Sequence, residues 1–156
     1  MAKLLRLPEA PTGAAGAAAV LVGLGDFLKD PARHTAAGQP IAVRVAPADK
    51  VEDLAPHLGR VALVAIEFPN PGDGRGYTSA RLLRQRYGFK GEIRAVGAGV
   101  KQDLLFFMAR CGIDAFELAD GENEAEARQA LQRFTLAYQP AVPRSAVLEA
   151  RFTAAR

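Results

Sequence analysis

The residues best suited to chemistry lie together in Phe68-Pro-Asn-Pro-Gly-Asp-Gly-Arg-Gly-Tyr-Thr-Ser-Ala-Arg-Leu-Leu-Arg-Gln-Arg86. Gly72, Gly74 and Gly76 let the backbone bend sharply and approach a ligand closely. Asp73 is a carboxylate in the same turn, and Arg75 a forked donor for oxyanions. The helix expected after this loop presents free N–H groups and a positive dipole end. Asp73, Gly74, Arg75, Gly76, Tyr77 and Arg81 are therefore read as an anion- or partner-binding site. A plainer reading has equal standing: Asp73 caps the turn and Arg75 pairs with a neighbouring acid.

A second glycine turn, Gly97-Ala-Gly99, feeds the next expected helix, so Gly97 joins the candidate set. It lacks the third glycine of a dinucleotide fingerprint, and the chain has no phosphate-binding Gly-x4-Gly-Lys-Ser/Thr loop. Two charges sit inside apolar strands, Glu67 and Arg94, and a charge in a buried strand needs a partner. They are expected to pair with each other if their strands are adjacent; direct contact of Arg94 with a ligand is the other reading. The sequence shows no Ser/His/Asp or Cys/His catalytic grouping. His34 and His57 stand without ligands at metal spacing, so no metal site is expected. Catalytic residues and cofactor stay unassigned.

Composition narrows the class. The 156 residues suit one domain, 49% hydrophobic and 24% charged. Fifteen arginines stand against five lysines in a net charge of +3. Residues 70–112 carry eight Lys/Arg against three Asp/Glu, and residues 113–126 carry six acids with no Lys or Arg. The pI of about 9.3 invites a nucleic-acid reading. No lysine cluster, recognition helix or aromatic-basic strand motif supports it, so no nucleic-acid partner is expected. Cys111, the single cysteine, lies in an apolar helical pattern and reads as a buried thiol in a reducing compartment. The Ala/Gly-rich run 14–25 is too short and weakly apolar for a membrane span or signal segment. A cytoplasmic chain is expected.

These residues need elements to position them. Residues 1–16 read as loosely ordered, 17–139 as one α/β domain and 140–156 as a peripheral tail. Strands are expected over 17–23, Ile41–Ala46, Val61–Phe68, Gly91–Gly97 and Ala115–Leu118. Helices are expected near Asp26, over Asp49–Leu58, Thr78–Tyr87, Val100–Cys111 and Glu122–Tyr138, with Pro31–Pro40 a loop. Arg84 and Arg86 fall on the solvated side of their helix, and Leu104–Met108 mostly in the core. The alternation predicts a single open parallel sheet with helices on both faces, flavodoxin- or receiver-like. A fragment of a (β/α) barrel is the alternative. Ligands then belong at the strands' carboxyl ends, in a crevice ringed by Pro69–Tyr77, Ala98–Gly99 and Asp120–Gly121.

Three stretches carry a family resemblance. Asp73-Gly-Arg-Gly-Tyr-Thr-Ser-Ala-Arg-Leu-Leu-Arg84, Gly91-Glu-Ile-Arg-Ala-Val-Gly97, and Asp103 with Arg110-Cys-Gly-Ile-Asp-Ala-Phe-Glu-Leu118 are similar, in order and spacing, to the domain of unknown function 934 family. The resemblance spans roughly residues 41–138. Members often bear the label of an oxidoreductase involved in sulfite reduction, which rests on neighbouring sulfite reductase genes. It implies an accessory protein of sulfite or sulfate reduction that binds an oxyanion or sulfite reductase itself. An oxidoreductase with a phosphate-bearing cofactor such as flavin is the second reading, and a receiver-like regulatory domain without a phospho-acceptor the third. Ala98-Gly99 stands where the family pattern has an acid, and Thr78 keeps the hydroxyl of its usual serine.

Overall fold

The computed structural model describes residues 3–8, 10–11, 20–35, 40–134 and 142. Six strands form one sheet: β1 (Lys3–Arg6), β2 (Val20–Gly23), β3 (Ile41–Val45), β4 (Val61–Glu67), β5 (Glu92–Val96) and β6 (Ala115–Leu118). Their order across the sheet is β1-β6-β5-β4-β3-β2. The pairs from β2 to β6 are parallel, whereas β1 runs antiparallel to β6. The sheet is thus mixed, not wholly parallel. β1 lies inside the segment expected to be loosely ordered. Its four residues carry Leu5, fully buried, opposite Phe116.

The helices are α1 (Leu24–Lys29), α2 (Pro31–Thr35), α3 (Arg75–Arg81), α4 (Leu105–Arg110) and α5 (Glu124–Gln132). The segment Val51–Arg60, containing Pro56, winds as a 3-10 helix, and Gln102–Leu104 adds a 3-10 turn before α4. The expected loop 31–40 contains α2. The final helix ends, as described, at Gln132. The expected residues 135–138, the strand start at 17–19 and the tail from 140, Val142 excepted, lie outside the described residues.

All five parallel strands follow one another in sequence across the sheet. Right-handed crossovers taken always in the same direction deposit every helix on the same face. The packing agrees: Phe27, Leu54, Ala80, Leu83, Leu105, Met108 and Ala127 share one cluster with Val43, Val64, Ile66, Ile93, Ala95 and Phe116. Ala42, Leu63, Ala65 and Val96, the alternate strand positions, form a separate small cluster on the other face. Among the described residues the helices cover one face. The expectation of helices on both faces is corrected, and with it the crevice that a reversal of strand order creates among the parallel strands.

Candidate functional site

Pro69–Tyr77 and Ala98–Gly99 meet at the carboxyl ends of β4 and β5, as expected. The Phe68 N–H donates to the Val96 carbonyl at 2.8 Å, and the Gly99 N–H to the Phe68 carbonyl at 2.8 Å. The glycines serve this closeness. Gly97 has φ +106°, and a Cβ there meets the Phe68 carbonyl oxygen at 2.6 Å. One on Gly99 meets the Asn70 carbonyl oxygen at 2.6 Å, and one on Gly76 the Phe68 ring at 2.5 Å. The room that these glycines create is filled by the chain's own backbone and by Phe68.

Within the loop, Asp73 grips Arg75 through both carboxylate oxygens. Arg75 Nε donates to Oδ1 at 3.0 Å and Nη2 to Oδ2 at 2.7 Å, while the Arg75 N–H reaches Oδ1 at 3.2 Å. The Arg75 side-chain bonds, then its backbone N–H, hold the Asp73 carboxyl below the usual carboxylate range. The side chain of Asp73 is 10% exposed and that of Arg75 63%. The capping reading of the loop is therefore formed, with a guanidinium fixed at its tip. Tyr77 is half-buried, edge-on to Phe68 at 5.3 Å. Burial chiefly pushes its hydroxyl pKa up, with the charges of Cys111 and Asp103 adding to it. Arg81 is exposed and donates to Gln85 at 2.9 Å. Glu122, after the acidic turn, accepts from the Gln102 N–H at 2.9 Å and pairs with Lys101 at 3.3 Å.

Asp73 through Tyr77 and Gly97 are thus brought together, Arg81 lies further along the helix, and Arg94 lies elsewhere. Arg94 projects from mid-strand on the helix-free face. The expected Glu67–Arg94 pair is corrected, because each group has another partner. Glu67 takes Arg44 at 2.8 Å, and Arg94 takes Glu92 at 2.7 Å. Both strands are adjacent as supposed, but Arg44 on β3 is also next to β4, and Glu92 shares Arg94's own strand two residues away. Arg6 approaches the other oxygen of Glu92 at 3.3 Å, so this fully buried carboxylate joins two guanidinia.

Arg84 is the second correction. Its helix widens into a π turn at Leu82–Arg86, closed by the Tyr87 N–H on the Leu82 carbonyl at 3.0 Å. Three and four residues after buried Ala80, Leu83 and Arg84 both fall on the inner face of the helix. There Arg84 donates to the carbonyls of Gly112 at 2.9 Å, Phe89 at 2.7 Å and Gly91 at 2.8 Å, and pairs with buried Asp114. Asp114 also accepts from the Ile93 N–H at 2.9 Å. The spacing of Arg84 four residues after Ala80 was the signal available in sequence; its pairing with Asp114 was not.

Cys111 is partly buried, and burial pushes its thiol pKa up against the pull of Arg81 and Arg110. Among the described residues no group of three His, Cys, Asp or Glu is placed to hold a metal ion. No described helix is long and apolar enough to cross a membrane.

Together these features define a class: a singly wound α/β sheet with a locked glycine loop at its carboxyl end and an arginine-bearing open face. The chain belongs to the family described as bacterial proteins of unknown function (DUF934), which it matches over residues 42–148. No curated protein matches it. The three stretches that carry the resemblance meet in space, since Arg84, Gly91 and Gly112–Asp114 each come from a different one.

Proposed function

We propose that this protein is an accessory component of sulfite or sulfate reduction that docks sulfite reductase through the Asp73–Tyr77 loop. The observation that carries the docking is the guanidinium of Arg75, exposed yet immobilised by a two-point carboxylate clamp. A fixed fork loses little rotamer entropy on meeting an acidic surface, which favours recognition by a partner. With its charge offset by Asp73, the loop suits docking better than capture of a free ion. The sulfur assignment rests on the family resemblance. Arg81 extends the basic edge along the same helix.

Co-purification tests the docking. Sulfite reductase is expected to be retained by the wild-type chain and lost with Arg75→Ala; equal retention by both removes the loop from this role. A deletion strain is expected to grow on cysteine but poorly on sulfate. Equal growth on the two sources overturns the sulfur assignment.

A further inference from the structure

Helix α4 turns an ordered stripe of three residues outward. Leu105, Met108 and Ala109 are buried in the core. That leaves Asp103, Phe107 and Arg110, spaced four and then three residues apart, along the opposite side. Asp103 stands in the 3-10 turn that runs into α4, so the stripe extends over about two helical turns. Asp103 is exposed, and Arg110 is half-buried with its guanidinium 5.9 Å from the centre of the Phe106 ring.

Two large rings stand open to water on this surface. Phe107 is 51% exposed, and Phe134, just beyond α5, is 50% exposed. Buried Phe106 joins them: its ring lies edge-on to Phe107 at 5.8 Å and tilted against Phe134 at 5.0 Å. Three phenylalanines and an arginine thus form one continuous patch, and these are residue types that protein interfaces concentrate.

The order of the charges indicates what covers it. The acid lies before Phe107 on the helix and the base after it. Such a stripe is complementary to its own reversed copy. When two of these helices cross antiparallel about a two-fold axis near Phe107, Asp103 of each faces Arg110 of the other and the Phe107 rings meet at the axis.

We propose that α4 is the contact helix of a two-fold symmetric dimer of this chain. Phe107 and Phe134 are its apolar anchors, and Asp103–Arg110 pairs flank them. The patch is small, so the dimer forms with rising concentration and is not permanent. Nothing in this proposal rests on the docking assigned to the Arg75 loop.

Sedimentation velocity of the whole chain from about 5 to about 500 μM tests the dimer, and the mass is expected to rise from one chain to two. Phe107→Ser is expected to weaken association about tenfold or more. Asp103→Lys and Arg110→Glu each turn two attractive pairs into two repulsive ones, and each is expected to weaken it about tenfold. Mixed in equal amounts, these two charge variants again face each other with opposite charges, so the mixture is expected to recover the wild-type dimer. Circular dichroism checks the fold of each variant. Asp103 and Phe107 are exposed, so their variants carry the test even where Arg110→Glu lowers stability. Arg75→Ala is expected to leave the dimer unchanged. A single-chain mass at the highest concentration, full association of Phe107→Ser or Asp103→Lys, a mixture of folded charge variants no stronger than either alone, or an equal loss in Arg75→Ala overturns the proposal.

Discussion

Arg84 shows how one residue can decide the local architecture. Its guanidinium closes three backbone carbonyls and one buried carboxylate at the amino-terminal side of β5 and β6. Removing it strands Asp114 as a buried charge. Arg84→Ala is expected to destabilise by about 3–5 kcal/mol, measured by urea unfolding followed by circular dichroism. A cost below about 1 kcal/mol shows that Asp114 finds another partner. Asp73 operates at the same scale but on the surface. Because its folded pKa is depressed, its clamp on Arg75 contributes stability above the usual carboxylate pKa and loses it as pH falls through the lowered value. Asp73→Asn is therefore expected to lower stability modestly at neutral pH and to flatten the acid limb, the two profiles in urea unfolding converging below the lowered pKa.

At the scale of elements, the loop after β4 and the turn after β5 form one unit. Gly97 at φ +106° and the contact of its added Cβ with the Phe68 carbonyl leave no room for a side chain. Gly97→Ala is expected to cost about 1–3 kcal/mol and to raise amide exchange across Pro69–Tyr77. Unchanged exchange in the loop separates the two segments. The sequence revealed these segments as loops before helices, because glycine spacing and apolar runs are local signals. It did not reveal that they fill each other's space. The inward place of Arg84 escaped for a related reason: its spacing from Ala80 points inward, but a charge is expected in solvent unless a partner is known, and Asp114 lies 30 residues away in sequence. Likewise β1 has only four residues, Lys3–Arg6, too few to show alternation, and becomes a strand because β6 offers it an edge.

Over the whole molecule, a single direction of winding separates a helix-covered core from an open, charged sheet face. β1 completes the sheet at one edge and seals Leu5 against Phe116. Leu5→Ala is expected to cost about 2–5 kcal/mol in urea unfolding, although it lies five residues from the chain start. A negligible cost removes β1 from the cooperative core. The sequence by itself determined the α/β class, most strands and helices, and the glycine-rich loop, since all follow from periodicity and turn chemistry within short windows. Only the tertiary structure decided the partners of its charges. Glu67 goes to Arg44 because their strands are neighbours in register, Arg84 reaches Asp114 where its helix packs on the sheet, and Arg94 is left to Glu92, two residues away on its own strand. The same register aligned Arg6, Arg94 and Arg44 from three separate strands into one row.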